Sequence, residues 1–135
     1  MTDKILASYG IFLLRITTGI ALLTHSAYLK IFIFTMPGTS SFFESLGLPG
    51  WMAWATLIVE IVSGTMLIFG IKPRMGALIA VPGMSGAIWA HAGNGWLFSN
   101  VNGGWEYPLF WTCTLVALML LGDGKFTLIP TFTRR

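Results

Sequence analysis

The chain has 135 residues, of which 55% are hydrophobic and 10% charged, and its mean hydropathy is +0.76. Soluble domains carry about a quarter charged residues, so this composition excludes an ordinary soluble enzyme and indicates an integral membrane protein. The net charge of +3 is too small to indicate nucleic-acid binding. Because a spanning helix needs about 20 apolar residues, we expect one transmembrane domain over residues 1–135.

Four apolar segments predict an all-α, integral membrane four-helix bundle. We expect the spans at about residues 5–34, 51–71, 75–92 and 105–121. Pro37-Gly38 is expected to open a loop after the first span. Ser41-x-x-Glu44 has the spacing of a capping box, in which the two side chains satisfy free amides at a helix start. This spacing predicts a short interfacial helix over residues 42–48, between spans one and two.

The distribution of basic residues predicts the orientation of the bundle. With four spans, one side of the membrane receives nearly all of them: Lys4, Lys72, Arg74, Lys125, Arg134 and Arg135. Loops on the opposite side carry no Lys or Arg, apart from Lys30 at the end of the first span. Cytoplasmic loops are enriched in Lys and Arg, so both termini are expected to be cytoplasmic.

Two ionisable residues fall near the predicted midplane. Arg15 and Glu60 lie on consecutive antiparallel spans, and an unpaired buried charge costs more than a paired one, which predicts a mutual ion pair. Gly19 and Gly64 lie one turn along on the same faces and would let the two helices approach closely. The pair has two interpretations: a clasp that fixes helix register, or a polar site for a proton, an anion or a quinone head group.

A second polar group is predicted toward the outer face. It comprises His25, Lys30, His91 and Glu106. Ionisable residues inside membranes are usually functional, and imidazole titrates near neutral pH, which favours proton handling or hydrogen bonding to a quinone carbonyl. Trp105 is a candidate for stacking on a flat ligand. Two histidines and a carboxylate can also bind iron or zinc, but no HxxxH or HExxH pattern is present, and we predict no metal site.

The order of these residues resembles the DoxX family of small four-helix membrane proteins over roughly residues 8–124. The resemblance rests on Leu14-Arg15-x-x-x-Gly19, His25 with Lys30, Phe42-Phe43-x-x-Leu46-Gly47-Leu48-Pro49, Glu60 with Gly64 and Gly70, Arg74, His91 and Gly104-Trp105-Glu106-Tyr107-Pro108. One departure is Ser26, where family members often carry glycine. The resemblance implies a bacterial or archaeal inner-membrane protein associated with quinone-linked oxidoreductases.

Three functions are consistent with these observations. The first is a membrane component of a quinone-linked oxidoreductase, in which His25, His91 and Glu106 move protons while Arg15, Lys30, Glu60 and Trp105 bind the ligand. No cysteine cluster or dinucleotide fingerprint is present, so electrons would come from a partner redox protein, from bound substrate or from an unrecognised metal. The second is a small-molecule or proton transporter, expected to form a homo-oligomer. The third is a structural subunit of a respiratory membrane complex.

Overall fold

The computed structural model describes residues 2–132, and this part of the chain is all-helical, as predicted. An isolated bridge between Ile71 and Ile129 is the only β pairing in this range. The helices are α1 (Thr2–Leu23), which continues as a π-helix (Thr24–Ile33), α2 (Met36–Ser45), α3 (Trp51–Phe69), α4 (Pro73–His91) and α5 (Glu106–Leu121). A short 3-10 helix, Ala92–Asn94, extends α4.

Three of the helical segments are long and apolar enough to cross a membrane. They are Thr2–Ile33 with 32 residues, Trp51–Phe69 with 19 and Pro73–Asn94 with 22. α5 is also apolar but has 16 residues. At 1.5 Å per residue it is about 24 Å long, somewhat less than the roughly 30 Å of a hydrocarbon core. The chain is therefore a membrane protein with three candidate spans and one shorter apolar helix.

The short helix between the first two long helices begins earlier than the sequence predicts. α2 starts at Met36, and the Thr35 hydroxyl accepts a hydrogen bond from the Gly38 amide at 3.2 Å. Pro37 lies in the first turn, where a missing amide proton is harmless and the fixed φ suits a helix. The predicted loop at Pro37-Gly38 is therefore wrong, and the Ser41-x-x-Glu44 spacing falls inside the helix rather than at its start.

Glycines allow α1 and α3 to pack backbone to backbone. A Cβ on Gly19 would lie 2.9 Å from the Gly64 carbonyl oxygen, and a Cβ on Gly64 would lie 3.0 Å from the Gly19 carbonyl oxygen. The predicted close approach at this pair is confirmed. On the other side of α3, the buried Ser63 hydroxyl donates to the Gly76 carbonyl of α4 at 2.5 Å. These contacts hold α1, α3 and α4 in one layered bundle.

The core of the bundle lies between α1, α3, α4 and α5. Its buried members are Leu22, Leu67, Ala77, Ala80, Met84, Leu115 and Leu118. In a water-soluble protein, burying a leucine side chain contributes roughly 1.5–3 kcal/mol to the free energy of folding. Inside a bilayer, tight packing of the helices supplies most of the stabilisation. The small residues on α4 match this requirement, because they bring α4 close to α3 and α5.

Residues 122–132, the C-terminal segment, fold across one end of the bundle. The Lys125 amide donates to the Ser8 carbonyl at 3.1 Å. The Lys72 amide donates to the Ile129 carbonyl at 2.7 Å, and the Ile129 amide donates to the Gly70 carbonyl at 3.0 Å. The segment thus joins the beginning of α1 to the α3–α4 turn.

Candidate functional site

Lys30 and Glu60 form an ion pair in the interior of the bundle. The Lys30 Nζ lies 2.6 Å from the Glu60 Oε2, and the two side chains are 17% and 7% exposed. Glu60 is the central residue of α3, with nine residues of the helix on either side. Two charges removed from water at this depth are stable only as a pair. This pair is the candidate functional site.

The direction of side chains along a helix explains how Lys30 reaches Glu60. Cβ atoms tilt toward the N-terminus of their own helix, so the long Lys30 side chain runs back along the first helix toward the middle of the bundle. Ser26, four residues earlier, is fully buried and its hydroxyl donates to the Leu23 carbonyl at 3.2 Å. Ser26 and Lys30 therefore mark the face of this segment that points inward.

The π-helix changes the angular spacing of the polar side chains on this segment. In a π-helix the hydrogen bond joins residues five apart, as seen where the Phe34 amide donates to the Leu29 carbonyl at 2.8 Å. Residues five apart would be separated by about 140° around an α-helix, and the wider winding reduces that angle. His25 and Lys30 are five apart. Their side chains nevertheless contact different helices, Lys30 the Glu60 carboxylate of α3 and His25 a ring of α5.

His25 packs against Trp111 of α5. The two ring centroids are 4.9 Å apart, and the planes meet at 76°, an edge-to-face arrangement. The Trp111 Nε1 is buried and has no hydrogen-bond acceptor among residues 2–132. Buried indole N–H groups usually find a partner. A free donor beside an imidazole can receive a hydrogen-bond acceptor such as a carbonyl oxygen.

Arg15 does not pair with Glu60, and this prediction is wrong. Its guanidinium is fully buried and donates to the Asp123 carbonyl at 2.7 Å, the Phe126 carbonyl at 2.9 Å and the Thr127 hydroxyl at 3.1 Å.

The error comes from the depth assigned to Arg15. A Cβ on Gly70 would lie 2.9 Å from the Arg15 Nη1, so Arg15 is level with the end of α3 rather than with its centre. The first helical segment, at 32 residues, is much longer than the 19 residues of α3. Counting residues from its start therefore misplaced the arginine.

His91 belongs to a network in the loop between α4 and α5. Its Nδ1 lies 3.1 Å from the Asn102 carbonyl, and its ring stacks on Phe42 of α2 with centroids 6.3 Å apart. Asn94 donates to the Gly103 carbonyl at 2.8 Å, and Asn100 donates to the Asn94 carbonyl at 2.9 Å. These bonds tie the loop to the end of α4.

Glu106 and Trp105 lie at the start of α5. The Glu106 Oε2 accepts a hydrogen bond from the Phe98 amide at 3.2 Å. Trp105 packs edge to face against Trp96, with centroids 4.6 Å apart. Of the predicted outer group, Lys30 thus contacts Glu60, whereas His25, His91 and Glu106 contact three separate neighbours.

Within residues 2–132, no three His, Cys, Asp or Glu side chains come together as a metal site would require.

Trp111, Asp123 and Thr127 were missed by the sequence reasoning. Trp111 lies inside the last apolar segment, where no sequence pattern distinguishes it from the other tryptophans, and it packs against the hydrophobic core. Asp123 and Thr127 follow the last apolar segment, where hydrophobic periodicity ends and carries no further information. Their one signal is the presence of hydroxyl, carboxylate and glycine residues directly after a span.

The comparisons with known proteins identify the family. The DoxX family model matches residues 10–93, which is more than half of the chain, so the protein belongs to the DoxX family. A protein of Bacillus subtilis (strain 168) named "Putative oxidoreductase CatD" is 37% identical over 79 residues. That match covers 58% of this chain and 57% of the relative, so it spans just over half of the relative's length. No solved structure matches the chain.

Proposed function

We propose that this DoxX-family protein is a membrane component of a quinone-linked oxidoreductase system and binds a quinone, or a similar small amphiphile, beside Lys30 and Glu60. The observation that carries the proposal is the buried Lys30–Glu60 pair in the centre of an apolar bundle. Ionisable residues at such depth are rare and mark substrate or proton pathways. The name of the Bacillus subtilis relative supports redox work as the setting.

The chemistry of a quinone fits the donors gathered here. A quinone presents two carbonyl oxygens, which accept hydrogen bonds, and an apolar ring and tail, which suit an apolar bundle. His25 and the unpartnered Trp111 N–H are donors on one side of the first helix, and the Lys30 ammonium is a donor on the other. Reduction of a quinone to a quinol consumes two electrons and two protons. Glu60 and His25 are the groups here that can carry those protons.

The electrons enter from a partner redox protein in this proposal, because the sequence contains no redox cofactor motif. His91 and Glu106 then belong to the outer rim, where protons enter or leave, and Trp105 stacks there on a flat ligand. Arg15 has a different task from the one first assigned to it: it holds the C-terminal segment.

We further propose a four-span topology in a bacterial or archaeal cytoplasmic membrane. α5 is the fourth span, α2 lies at the outer interface, and both termini are cytoplasmic. The hydrogen bond between the Lys125 amide and the Ser8 carbonyl supports an even number of crossings, because it joins the start of α1 to the segment after α5. The basic residues Lys72 and Lys125 also belong to this end.

The test is quinone binding by the purified protein. Organic extracts of the protein are analysed for co-purified quinone, and binding of a short-chain quinone is measured in detergent by quenching of tryptophan fluorescence. We expect binding by the wild type and at least roughly 10-fold weaker binding by Glu60→Gln, because without the ion pair the Lys30 donor is no longer fixed and a charge-assisted hydrogen bond contributes about 1.5–3 kcal/mol. Glu44→Gln, an exposed carboxylate on α2, is the matched control.

The result also separates the proposal from its alternatives. A wild-type protein that neither co-purifies with nor binds a quinone would contradict the proposal. In that case a structural subunit would be indicated by loss of folding in Glu60→Gln, since the pair would serve only to join α1 to α3. Proton transport into vesicles that is lost in a folded Glu60→Gln variant would indicate a transporter.

A further inference from the structure

The outward-facing side of α5 carries a groove of about 510 Å³ that is separate from the Lys30–Glu60 pair. Its lining residues are Trp96, Glu106, Tyr107, Leu109, Phe110 and Cys113. Tyr107 and Phe110 are 56% and 70% exposed, so the rest of residues 2–132 covers less than half of each. In a membrane protein such a surface faces lipid.

The groove has a charged end and an apolar end. The lining residues of α5 have the spacing of one helix face, since Leu109, Phe110 and Cys113 lie three, four and seven positions after Glu106. Glu106 begins the helix, and Cys113 lies about 10 Å further along it. The polarity of the groove therefore matches that of an amphiphile lying along α5 with its head at Glu106.

The carboxylate at the charged end has a free oxygen. The Glu106 Oε2 accepts the Phe98 amide, whereas the Oε1 accepts no hydrogen bond from residues 2–132. Trp96 and Tyr107 line the groove beside it. A carboxylate beside electron-rich aromatic faces is the chemistry that recognises an ammonium group, through a charge-assisted hydrogen bond and cation–π attraction.

We propose that this groove binds a membrane lipid with an ammonium head group, of the phosphatidylethanolamine class. The ammonium contacts Glu106 and the ring faces of Trp96 and Tyr107, and one acyl chain lies along Leu109, Phe110 and Cys113. The groove lies on a different face of α5 from Trp111 and shares only Glu106 with the proposed quinone function. The tests below therefore measure lipid and detergent binding rather than quinone binding.

Cys113 is the single cysteine of the chain and provides the test. Protein in a neutral detergent is reacted with a membrane-permeant maleimide in the presence of dodecylammonium, dodecyl sulfate or dodecanol at matched concentrations. We expect dodecylammonium to protect Cys113 at concentrations roughly 10-fold lower than the other two, since a charged hydrogen bond contributes about 1.5–3 kcal/mol. Glu106→Gln should abolish this preference, whereas Glu44→Gln should retain it.

Native mass spectrometry supplies the corresponding measurement with lipids. The wild type should retain phosphatidylethanolamine in preference to phosphatidylglycerol, and Glu106→Gln should lose that preference. Equal protection of wild-type Cys113 by all three head groups would overturn the proposal without any variant. Retention of the preference in a folded Glu106→Gln protein would overturn it as well.

Discussion

The bundle holds two cations in its interior, Arg15 and Lys30, and stabilises them in different ways. Arg15 is a residue of α1 that lies level with the end of α3. It donates three hydrogen bonds to neutral groups of the C-terminal segment, two carbonyls and one hydroxyl. Lys30 lies at the centre and forms an ion pair with a carboxylate. Backbone carbonyls therefore hold most of the Arg15 guanidinium, whereas an opposite charge, the Glu60 carboxylate, holds the Lys30 ammonium.

This difference follows from the shapes of the two cations. A guanidinium presents five donors in a plane and spreads its charge, so several carbonyl oxygens can surround it. An ammonium is a compact charge, for which a carboxylate is the effective buried partner. The Arg15 region is therefore suited to holding segments together. The Lys30 region contains a proton-binding pair and is suited to chemistry.

The largest effect is expected when the central pair is broken. Glu60→Ala leaves the Lys30 ammonium buried without a partner and should lower the free energy of unfolding by about 3–5 kcal/mol. The measurement is unfolding in mixed micelles with increasing SDS. The double variant Lys30→Met with Glu60→Leu should be more stable than Glu60→Ala. A double variant as unstable as the single one would show that the two residues are not a pair.

The second prediction concerns the arginine region. Arg15→Lys keeps the charge but cannot form all three hydrogen bonds, and should lower the free energy of unfolding by about 2–3 kcal/mol. It should also accelerate tryptic cleavage after Lys125, because the C-terminal segment loosens. Arg74→Lys is the control, since its guanidinium lies over the Phe132 ring and such a contact contributes about 1 kcal/mol or less. Equal effects of both variants would contradict the anchoring role.

The third prediction concerns the close contact between α1 and α3 at Gly19, which lies between the Arg15 and Lys30 regions of the first helix. Gly19→Ala places a Cβ 2.7 Å from Ile68 and 2.9 Å from the Gly64 carbonyl, and should lower the free energy of unfolding by about 1–3 kcal/mol. Gly10 lies in the same helix with no atom within 4 Å of its built Cβ, so Gly10→Ala should be neutral or stabilising by about 0.5–1 kcal/mol. Thermal unfolding in detergent compares the two.

The smallest expected effect is that of Thr127→Val. This change removes one of the three hydrogen bonds of Arg15, together with the bonds of the Thr127 hydroxyl to its own segment, and should lower the free energy of unfolding by about 0.5–1.5 kcal/mol. Thr17→Val is the control, because the Thr17 hydroxyl is exposed and bonds only the preceding turn of α1. A loss as large as that from Arg15→Lys would mean that Thr127, rather than the two carbonyls, holds the arginine.

The helices could be predicted from the sequence because each apolar run is long and bounded by clear breaks. α3, for example, was expected at 51–71 and runs over Trp51–Phe69. The Gly19–Gly64 approach was also predictable, since both glycines follow a polar residue by one turn on the inner face. α2 was displaced, because a proline at a helix start resembles a proline in a loop.

The partners of the buried charges could not be predicted. Predicting the partner of Arg15 requires the relative depth of α1 and α3 in the bundle, and helix length alone does not fix that depth. The correct partners of Arg15 are mainly backbone carbonyls, which every residue possesses and no sequence pattern marks. The π-winding of the segment that carries Lys30 is likewise marked by no sequence pattern.

The partners of Arg15 have a consequence for biosynthesis. Its hydrogen-bond acceptors follow it by 108 to 112 positions along the chain. At about 5–20 residues per second, a ribosome needs roughly 5–20 s to supply them after Arg15 itself has been made. During that interval the guanidinium has to remain hydrated at the membrane surface. A chain truncated before Asp123 would lack these acceptors altogether, and its Arg15 guanidinium would depend on water in their place.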